Sequence, residues 1–204
     1  MEWYEPEVAL LESAARAGQV RPCLTVFYGS SSIRMWDTLA QDLASDRVLN
    51  RGFGGSTLAA CVHFFERLVM PVRPASLVLY AGDNDLGDGR TVDQVVASFE
   101  QFQAKVDQSL GGVPFAFLAI KPSPARASIL GRIVEANNRI ANFIHRRGSG
   151  TLFVDTLAAM LTPDGKPDPL FFLDDGLHLS RSGYRLWAEL LQPYRKQLLI
   201  EPTS

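Results

Sequence analysis

The amino-acid sequence predicts an α/β protein with a three-layer α/β/α architecture built on a five-stranded parallel sheet. Two observations carry this prediction. Five short segments are apolar almost throughout, which is typical of strands buried on both faces of a parallel sheet, and amphipathic segments with helical periodicity lie between them. No linker rich in Pro, Gly or Ser divides the chain, so residues 1–204 are predicted to form a single domain.

Each element follows from a local pattern. The predicted strands span residues 24–28, 48–51, 76–80, 115–120 and 152–155. The predicted helices span residues 5–18, 57–69, 91–110, 129–144 and 182–199. The clearest helix carries Ile129, Ile133 and Ile140 on one face, and it carries Arg132 and Arg139 on the other.

The composition excludes several classes of protein. Hydrophobic residues make up 47% of the chain and charged residues 21%, which excludes a disordered or collagen-like protein. The net charge of -2, without a basic stripe, disfavours a nucleic-acid partner. Cys23 and Cys61 are too few for a disulfide scaffold or a metal cluster. The start of the chain lacks a signal-peptide pattern, and no apolar run is long enough to span a bilayer, so we expect a cytoplasmic protein.

Three turns rich in Gly and polar residues follow the first three predicted strands. They are residues 29–32, 52–56 and 82–85. Ligands of parallel α/β sheets bind beyond the carboxyl ends of the strands, so these turns are predicted to border a functional site. The second turn lacks the spacing of a dinucleotide- or phosphate-binding loop. Asp83, Asp85 and Asp88 are compatible with a cation site, although a simple turn is the favoured interpretation.

His178 is the best candidate for a catalytic base among the three histidines. It lies in a loop before the last predicted helix, and Asp175 stands three residues ahead of it. A carboxylate at that distance can orient an imidazole and stabilise its protonated form. His63 and His145 lie in helical patterns and are interpreted as packed or solvated helix residues.

A serine that directly follows a buried strand and a glycine is a candidate nucleophile. The segment 27–33 has this pattern, and a helix that begins there would offer free N–H groups to a developing oxyanion. On this pattern alone, the favoured interpretation is that these serines only cap the helix. The Gly-x-Ser-x-Gly elbow of common α/β-hydrolases is absent from the sequence.

Taken together, four short blocks resemble the SGNH hydrolase family, also called the GDSL-type esterase family. The blocks are Gly29-Ser30-Ser31, Asn50 to Ser56, Gly82-Asp83-Asn84-Asp85, and Asp175-Gly-Leu-His178, and they occur in family order over almost the whole chain. The resemblance implies a flavodoxin-like sandwich. Position 30 is Ser where the family usually has Asp, and position 83 is Asp where a small uncharged residue is common.

The resemblance also implies the role of each site residue. Ser31, which aligns with the family serine two positions after Gly29, would be the nucleophile; Ser30 and Ser32 are the neighbouring alternatives. His178 would be the base and Asp175 its orienting carboxylate. The oxyanion hole would combine the backbone N–H of Ser31, the backbone N–H of Gly55 and the side-chain amide of Asn84. Gly54 takes the place of Gly55 if the turn is shifted by one residue.

We therefore expect a serine-dependent esterase that cleaves small acyl or acetyl esters, including esters on carbohydrate, with no cofactor and no metal. A nucleotide- or flavin-binding module and a catalytically inactive hydrolase-like domain are the alternatives. Arg126 follows the fourth predicted strand and is compatible with a contact to an anionic substrate or a polar sugar, although a solvated loop residue is the favoured interpretation. Trp36 and residues 171–173 are interpreted either as walls of an acyl pocket or as anchors in the core. The sequence leaves the oligomeric state open.

Overall fold

All five predicted strands are present in the structure, a computed structural model that describes residues 1–16, 24–148 and 150–199. They are β1 (Thr25–Gly29), β2 (Val48–Gly52), β3 (Ser76–Tyr80), β4 (Phe115–Leu118) and β5 (Thr151–Val154). Neighbouring strands pair in parallel, in the order β2-β1-β3-β4-β5. Cys23 lies outside the described residues.

Helices connect the strands. They are α1 (Glu5–Arg16), α2 (Ser31–Arg34), α3 (Leu39–Asp42), α4 (Leu58–Leu68), α5 (Asp83–Gly87), α6 (Val92–Leu110), α7 (Leu130–Arg147), α8 (Arg181–Leu191) and α9 (Arg195–Leu198). Short 3₁₀ segments occupy Glu2–Tyr4, Met70–Val72, Pro124–Ile129, Ala158–Met160, Pro169–Phe171 and Gln192–Tyr194, and the third is kinked at Arg126.

Each face of the sheet is covered by a separate apolar layer. Because side chains alternate along a strand, Val26 and Tyr28 of β1 face one layer and Phe27 faces the other. The first layer contains the apolar faces of α1, α4, α6 and α7, and the second contains those of α2, α3, α8 and α9. The predicted three-layer α/β/α architecture is therefore confirmed.

Two predicted boundaries are wrong, each for a local reason. The apolar run after β4 continues to Ile120, but β4 ends at Leu118. The side-chain amide of Asn137 on α7 accepts a hydrogen bond from the N–H of Ile120 and donates one to its carbonyl, each at 2.8 Å, so these groups do not pair with a neighbouring strand. The predicted final helix is interrupted at Pro193, which lacks an N–H to continue the helical ladder.

The order of the strands places three turns side by side. β1 lies between β2 and β3, so the turn after β1 is flanked by the turns that follow its two neighbours. Gly29 (φ +135°) permits this approach, because a Cβ there would overlap the carbonyl oxygen of Tyr80. That carbonyl accepts a hydrogen bond from the N–H of Ser30 at 2.9 Å. In the described part of the chain, no helix is long and apolar enough to cross a membrane.

Candidate active site

Ser31 is the first residue of α2, directly beyond the carboxyl end of β1. Its side chain is partly exposed, whereas those of Ser30 and Ser32 are buried. The hydroxyl of Ser30 has no hydrogen-bond partner among the described residues, and that of Ser32 bonds to Tyr80. Among the three adjacent serines, Ser31 is the one whose hydroxyl solvent can reach.

The turn after β2 is held against α2 and against the N-terminal segment. Asn50 donates from its amide to the carbonyl of Ile33 in α2 and accepts from the N–H of Gly52 at 2.9 Å. Glu7 on α1 accepts a hydrogen bond from the N–H of Gly54 at 2.7 Å. The N–H of Gly55 has no such partner among the described residues, and its carbonyl accepts from the Tyr4 hydroxyl at 3.2 Å. Gly55 therefore offers a free donor, and Gly54 does not.

Asn84 lies in α5, in the turn after β3, and each side of its amide has a defined partner. Its Nδ2 donates to the carbonyl of Ser56 at 3.1 Å, and its Oδ1 accepts from Nη2 of Arg126 at 2.9 Å. An amide nitrogen carries two hydrogens, so one N–H of Asn84 remains available to a ligand. The bond to Ser56 joins the turns after β2 and β3.

A buried ion cluster lies behind Asn84. The Asp83 carboxylate is bonded to Nζ of Lys121 at 3.0 Å and is 2.9 Å from Nη1 of Arg126. The side chain of Lys121 is 1% exposed. Burial opposes the ionisation of Asp83, but the two cations outweigh it and lower the pKa of the carboxyl below its usual value. Asp83 is thus an ionised structural carboxylate.

Asp85 supports the same turn from the other side. Its Oδ2 accepts from the N–H of Leu58, the first residue of α4, at 2.9 Å. Its buried Oδ1 lies 3.9 Å from Nε of Arg90 and has no hydrogen-bond partner among the described residues. Burial raises the pKa of Asp85 to about 6. Because Asp83 and Asp85 are both engaged inside the protein, the turn interpretation is favoured over the cation site.

The loop before α8 holds Asp175 and His178 in hydrogen-bond contact. Nδ1 of His178 lies 2.6 Å from Oδ2 of Asp175, and Oδ1 of Asp175 accepts from the N–H groups of Leu177 and His178 at 2.8 and 2.9 Å. These three bonds, the imidazole contact foremost, lower the pKa of Asp175 to about 2. Gly176 (φ +63°) makes the turn between the two residues.

The loop is held at its base and at its turn. Phe172 and Leu179 form an antiparallel bridge at its base, and both are buried. The carbonyl of Gly176 accepts from the N–H of Ala125, in the segment after β4, at 3.0 Å. The ring of Tyr184 at the start of α8 stacks on Trp36, with centroids 5.3 Å apart.

The structure brings most of the predicted site residues to one edge of the sheet. Asp175 and His178 are hydrogen-bonded, and Gly55 and Asn84 are joined through Ser56. No hydrogen bond among the described residues joins the Ser31 hydroxyl to His178. Catalytic hydrogen bonds are often long or absent in free enzymes and tighten when substrate binds.

The other candidate residues are buried in the core or lie exposed on helices or in a loop. Trp36 is 1% exposed, and its Nε1 donates to Asp42 at 2.8 Å, so it is a core anchor. Phe172 is likewise buried, whereas Leu173 is 46% exposed. His63 and His145 are exposed on their helices. Burial raises the pKa of the Cys61 thiol, which is typical of a packed cysteine without reactivity.

Sequence reasoning missed the ion cluster and the contribution of the N-terminal segment. The expectation that Arg126 is solvated is wrong, because its guanidinium contacts Asp83 and Asn84 and the side chain is 17% exposed. Lys121 carried a detectable signal, since a lysine at the end of an apolar run beside a predicted site is unusual. Trp3, which is 82% exposed, has its Nε1 3.8 Å from where a Cβ on Gly55 would lie.

The described residues contain no cluster suited to a metal. No group of three or more His, Cys, Asp or Glu side chains within residues 1–16, 24–148 and 150–199 could hold an ion. The acidic side chains at the sheet edge are bonded to cations, N–H groups or an imidazole of the protein itself.

Comparison with known proteins identifies a family. The model of the GDSL-like lipase/acylhydrolase family matches residues 22–186. A GDSL-like lipase from Bacteroides thetaiotaomicron has a similar structure, with a TM-score of 0.76, 19% identity, and coverage of 92% of this chain and 97% of its own. A lipase/acylhydrolase from Enterococcus faecalis has a TM-score of 0.72 at 20% identity, covering 90% and 100% of the respective chains.

A third similar structure carries a more specific description. A carbohydrate esterase family 3 protein from Talaromyces cellulolyticus has a TM-score of 0.67 and 18% identity, with coverage of 89% of this chain and 100% of its own. At these identities the structural likeness establishes the fold. No curated protein matched the chain by sequence.

Proposed function

We propose that this chain, which belongs to the GDSL-like lipase/acylhydrolase family, is a serine-dependent hydrolase of carboxylic esters with Ser31 as its nucleophile. Family membership supports ester hydrolysis. The observation that carries the assignment of the site is the 2.6 Å bond between Asp175 and His178. This pair lies in a loop bonded to the segment after β4, at the sheet edge where Ser31 begins α2.

The proposed reaction follows a two-step acyl transfer. His178 takes the proton of the Ser31 hydroxyl as its oxygen attacks the ester carbonyl, and Asp175 stabilises the imidazolium that forms. The tetrahedral intermediate collapses when His178 protonates the leaving alcohol, which leaves an acyl group on Ser31. Water, deprotonated by His178, then attacks this acyl group. The bond between the acyl carbon and Oγ of Ser31 breaks, His178 returns the proton to Oγ, and the acid is released.

Three N–H groups are proposed to bind the oxyanion of the tetrahedral intermediate. The N–H of Ser31 is at the start of a helix, where backbone donors have no helical partner. The N–H of Gly55 and one N–H of Asn84 complete the set, and the bond between Glu7 and Gly54 supports Gly55 over its neighbour. Loss of one oxyanion donor typically lowers turnover by about 10²–10³-fold.

The proposed substrates are small acyl esters, including acetyl esters borne on carbohydrate. The carbohydrate esterase among the similar structures supports this class, and so does the exposed indole of Trp3 beside Gly55. Aromatic side chains of this kind supply a large rigid contact surface.

The test is hydrolysis of p-nitrophenyl acetate and longer-chain homologues by the wild-type protein and by Ser31→Ala. We expect the variant to lose at least about 10³-fold in turnover, as is typical when a serine nucleophile is removed. Ser30→Ala is the matched control. Its hydroxyl is buried without a partner, so its removal leaves activity close to that of the wild type.

Labelling with a serine-reactive phosphonate identifies the nucleophile independently of the substrate. We expect the label on the peptide that contains Ser31 and none on Ser31→Ala. Hydrolysis that survives in Ser31→Ala, or a label on Ser30 or Ser32, would contradict the assignment. A protein that neither hydrolyses the esters nor takes the label would favour the inactive hydrolase-like alternative.

A further inference from the structure

The side-chain amide of Asn84 has to be oriented before it can act as an oxyanion donor. Rotation by 180° exchanges its carbonyl and its N–H₂ group, and the wrong orientation would present an acceptor to a developing negative charge. The carbonyl of Ser56 favours the correct orientation with one hydrogen bond to Nδ2. The other side of the amide is the side that Arg126 contacts.

We propose that Arg126 is a positioning residue, which fixes and polarises the Asn84 amide so that its free N–H points at the oxyanion position. Nη2 of Arg126 donates to Oδ1 of Asn84 at 2.9 Å. A guanidinium can only donate, so this contact is compatible with one orientation of the amide. This inference rests on the proposed hydrolase function, in which Asn84 binds the oxyanion.

Arg126 is itself held rigidly. Its Nη1 lies 2.9 Å from Asp83, which Lys121 also contacts from the interior. Gly87 lets the guanidinium lie against α5, because a Cβ at that position would come within 2.7 Å of Nε of Arg126. With Nη2 hydrogen-bonded to Asn84 and Nη1 ion-paired with Asp83, the planar guanidinium spans both partners, and a lysine cannot reproduce this geometry.

The charge of Arg126 also strengthens the donor. Two cations face the single carboxylate of Asp83, and the guanidinium bonds directly to the carbonyl end of the Asn84 amide. In a buried network, a cation bonded to an amide oxygen polarises the amide and makes its N–H a stronger donor. The positive charge of Arg126 thus acts on the oxyanion through the neutral amide of Asn84. The Arg126 side chain is 17% exposed and contacts both Asp83 and Asn84.

Two variants test the proposal without removing the buried cation. Arg126→Lys keeps a positive charge near Asp83 but cannot contact both Asp83 and Asn84. Gly87→Ala keeps the arginine and displaces its guanidinium, which is the far end of a flexible side chain. We expect kcat for p-nitrophenyl acetate to fall by about 10- to 100-fold in each, less than for loss of a whole oxyanion donor, with KM changed less than about twofold.

Matched controls are available elsewhere in the chain. Arg139→Lys alters an ion-paired arginine on the exposed face of α7, and Gly131→Ala adds a Cβ that meets no atom within 4 Å. Both are expected to retain the wild-type kcat. Thermal unfolding of all four variants shows whether a loss of activity accompanies a loss of fold.

The ¹H–¹⁵N resonances of the Asn84 side-chain amide, assigned with Asn84→Asp, test the positioning directly. We expect them to move in Arg126→Lys and Gly87→Ala and to stay in place in both controls. Unchanged resonances overturn the proposal whatever the activity, and so do shifted resonances with wild-type kcat. If the wild-type protein hydrolyses no ester but the resonances move, the positioning contact stands and the proposed hydrolase function fails.

Discussion

At the scale of single residues, environment separates side chains that the sequence presents as equals. Ser30, Ser31 and Ser32 are adjacent and identical, yet Ser31 alone is partly exposed. The two buried hydroxyls differ as well, since Ser32 bonds to Tyr80 and Ser30 has no partner. The alignment with the family serine and the exposure of the side chain therefore both favour Ser31 as the nucleophile.

Asp85 predicts a pH dependence of stability. Burial raises its pKa to about 6, above the ordinary value of 3.8. The folded protein then binds this proton more tightly than the unfolded chain does, so the contribution of Asp85 to the free energy of unfolding falls as pH rises from about 4 to about 6. A shift of this size corresponds to on the order of 3 kcal/mol. We expect Asp85→Asn to remove this fall in the free energy of unfolding between about pH 4 and about pH 6.

Urea unfolding of the wild type and Asp85→Asn at about pH 4 and about pH 7 measures this contribution. The difference between the two proteins isolates Asp85, because the other titrating groups are shared. Asp88→Asn, at an exposed position just after the same turn, is the matched control, and its profile should run parallel to that of the wild type. A profile for Asp85→Asn that also runs parallel to the wild type would contradict the prediction.

At the scale of elements, the N-terminal segment contacts the turn after β2, although it precedes the region that matches the family model. Glu7 of α1 binds the N–H of Gly54 and lies 3.5 Å from Arg34 of α2. Tyr4 contacts the carbonyl of Gly55 and packs edge-on against Phe53, with ring centroids 5.5 Å apart. The turn after β2, in which we propose that Gly55 is an oxyanion donor, is therefore supported from outside the four sequence blocks.

Glu7→Ala tests this support. Without the carboxylate the N–H of Gly54 loses its acceptor and the turn loses one anchor, so we expect turnover of p-nitrophenyl acetate to fall by about tenfold. Glu7→Gln keeps an acceptor oxygen and is expected to stay close to the wild type. A rise in turnover in Glu7→Ala would instead mean that Gly54 is the oxyanion donor and that Glu7 obstructs it.

Local patterns explain why the strands, the helices and the Asp175–His178 pair could be predicted. An apolar run, a helical periodicity and a three-residue spacing are all contained in a short stretch of sequence. The ion cluster could not be predicted in this way, because Arg126 lies 42 residues from Asn84 and Lys121 lies 38 residues from Asp83. Such contacts arise only when β3 and β4 pair and bring their carboxyl ends together.

The same argument explains one of the two wrong boundaries, the end of β4. The apolar run at Ile120 resembles a longer strand, and the amide that ends it comes from Asn137 on a distant helix. In contrast, Pro193 is a local helix breaker, and its effect was readable from the sequence.

At the scale of the whole molecule, the two apolar layers share one sheet. Strand residues alternate between the layers, so neither layer can lose its packing without exposing one face of every strand. We therefore predict that the chain unfolds as a single domain in one cooperative transition.

A probe in each layer tests this prediction. Trp36 and Trp187 lie in one layer, and their near-ultraviolet circular dichroism reports on its packing. Cys61 lies in the other layer, and its reactivity towards a thiol reagent reports on that layer in a Cys23→Ser background. The two midpoints in urea should coincide. Separate midpoints would show that the layers unfold independently.

The position of Trp3 also gives the protein a built-in optical reporter. Its indole is 82% exposed and adjoins Gly55, whereas Trp36 and Trp187 are buried. A water-soluble quencher such as iodide therefore reaches one of the three tryptophans in the folded chain. Any ligand that binds over the turn after β2 would shield that indole, so occupancy of the proposed site can be followed by fluorescence without a label and without turnover.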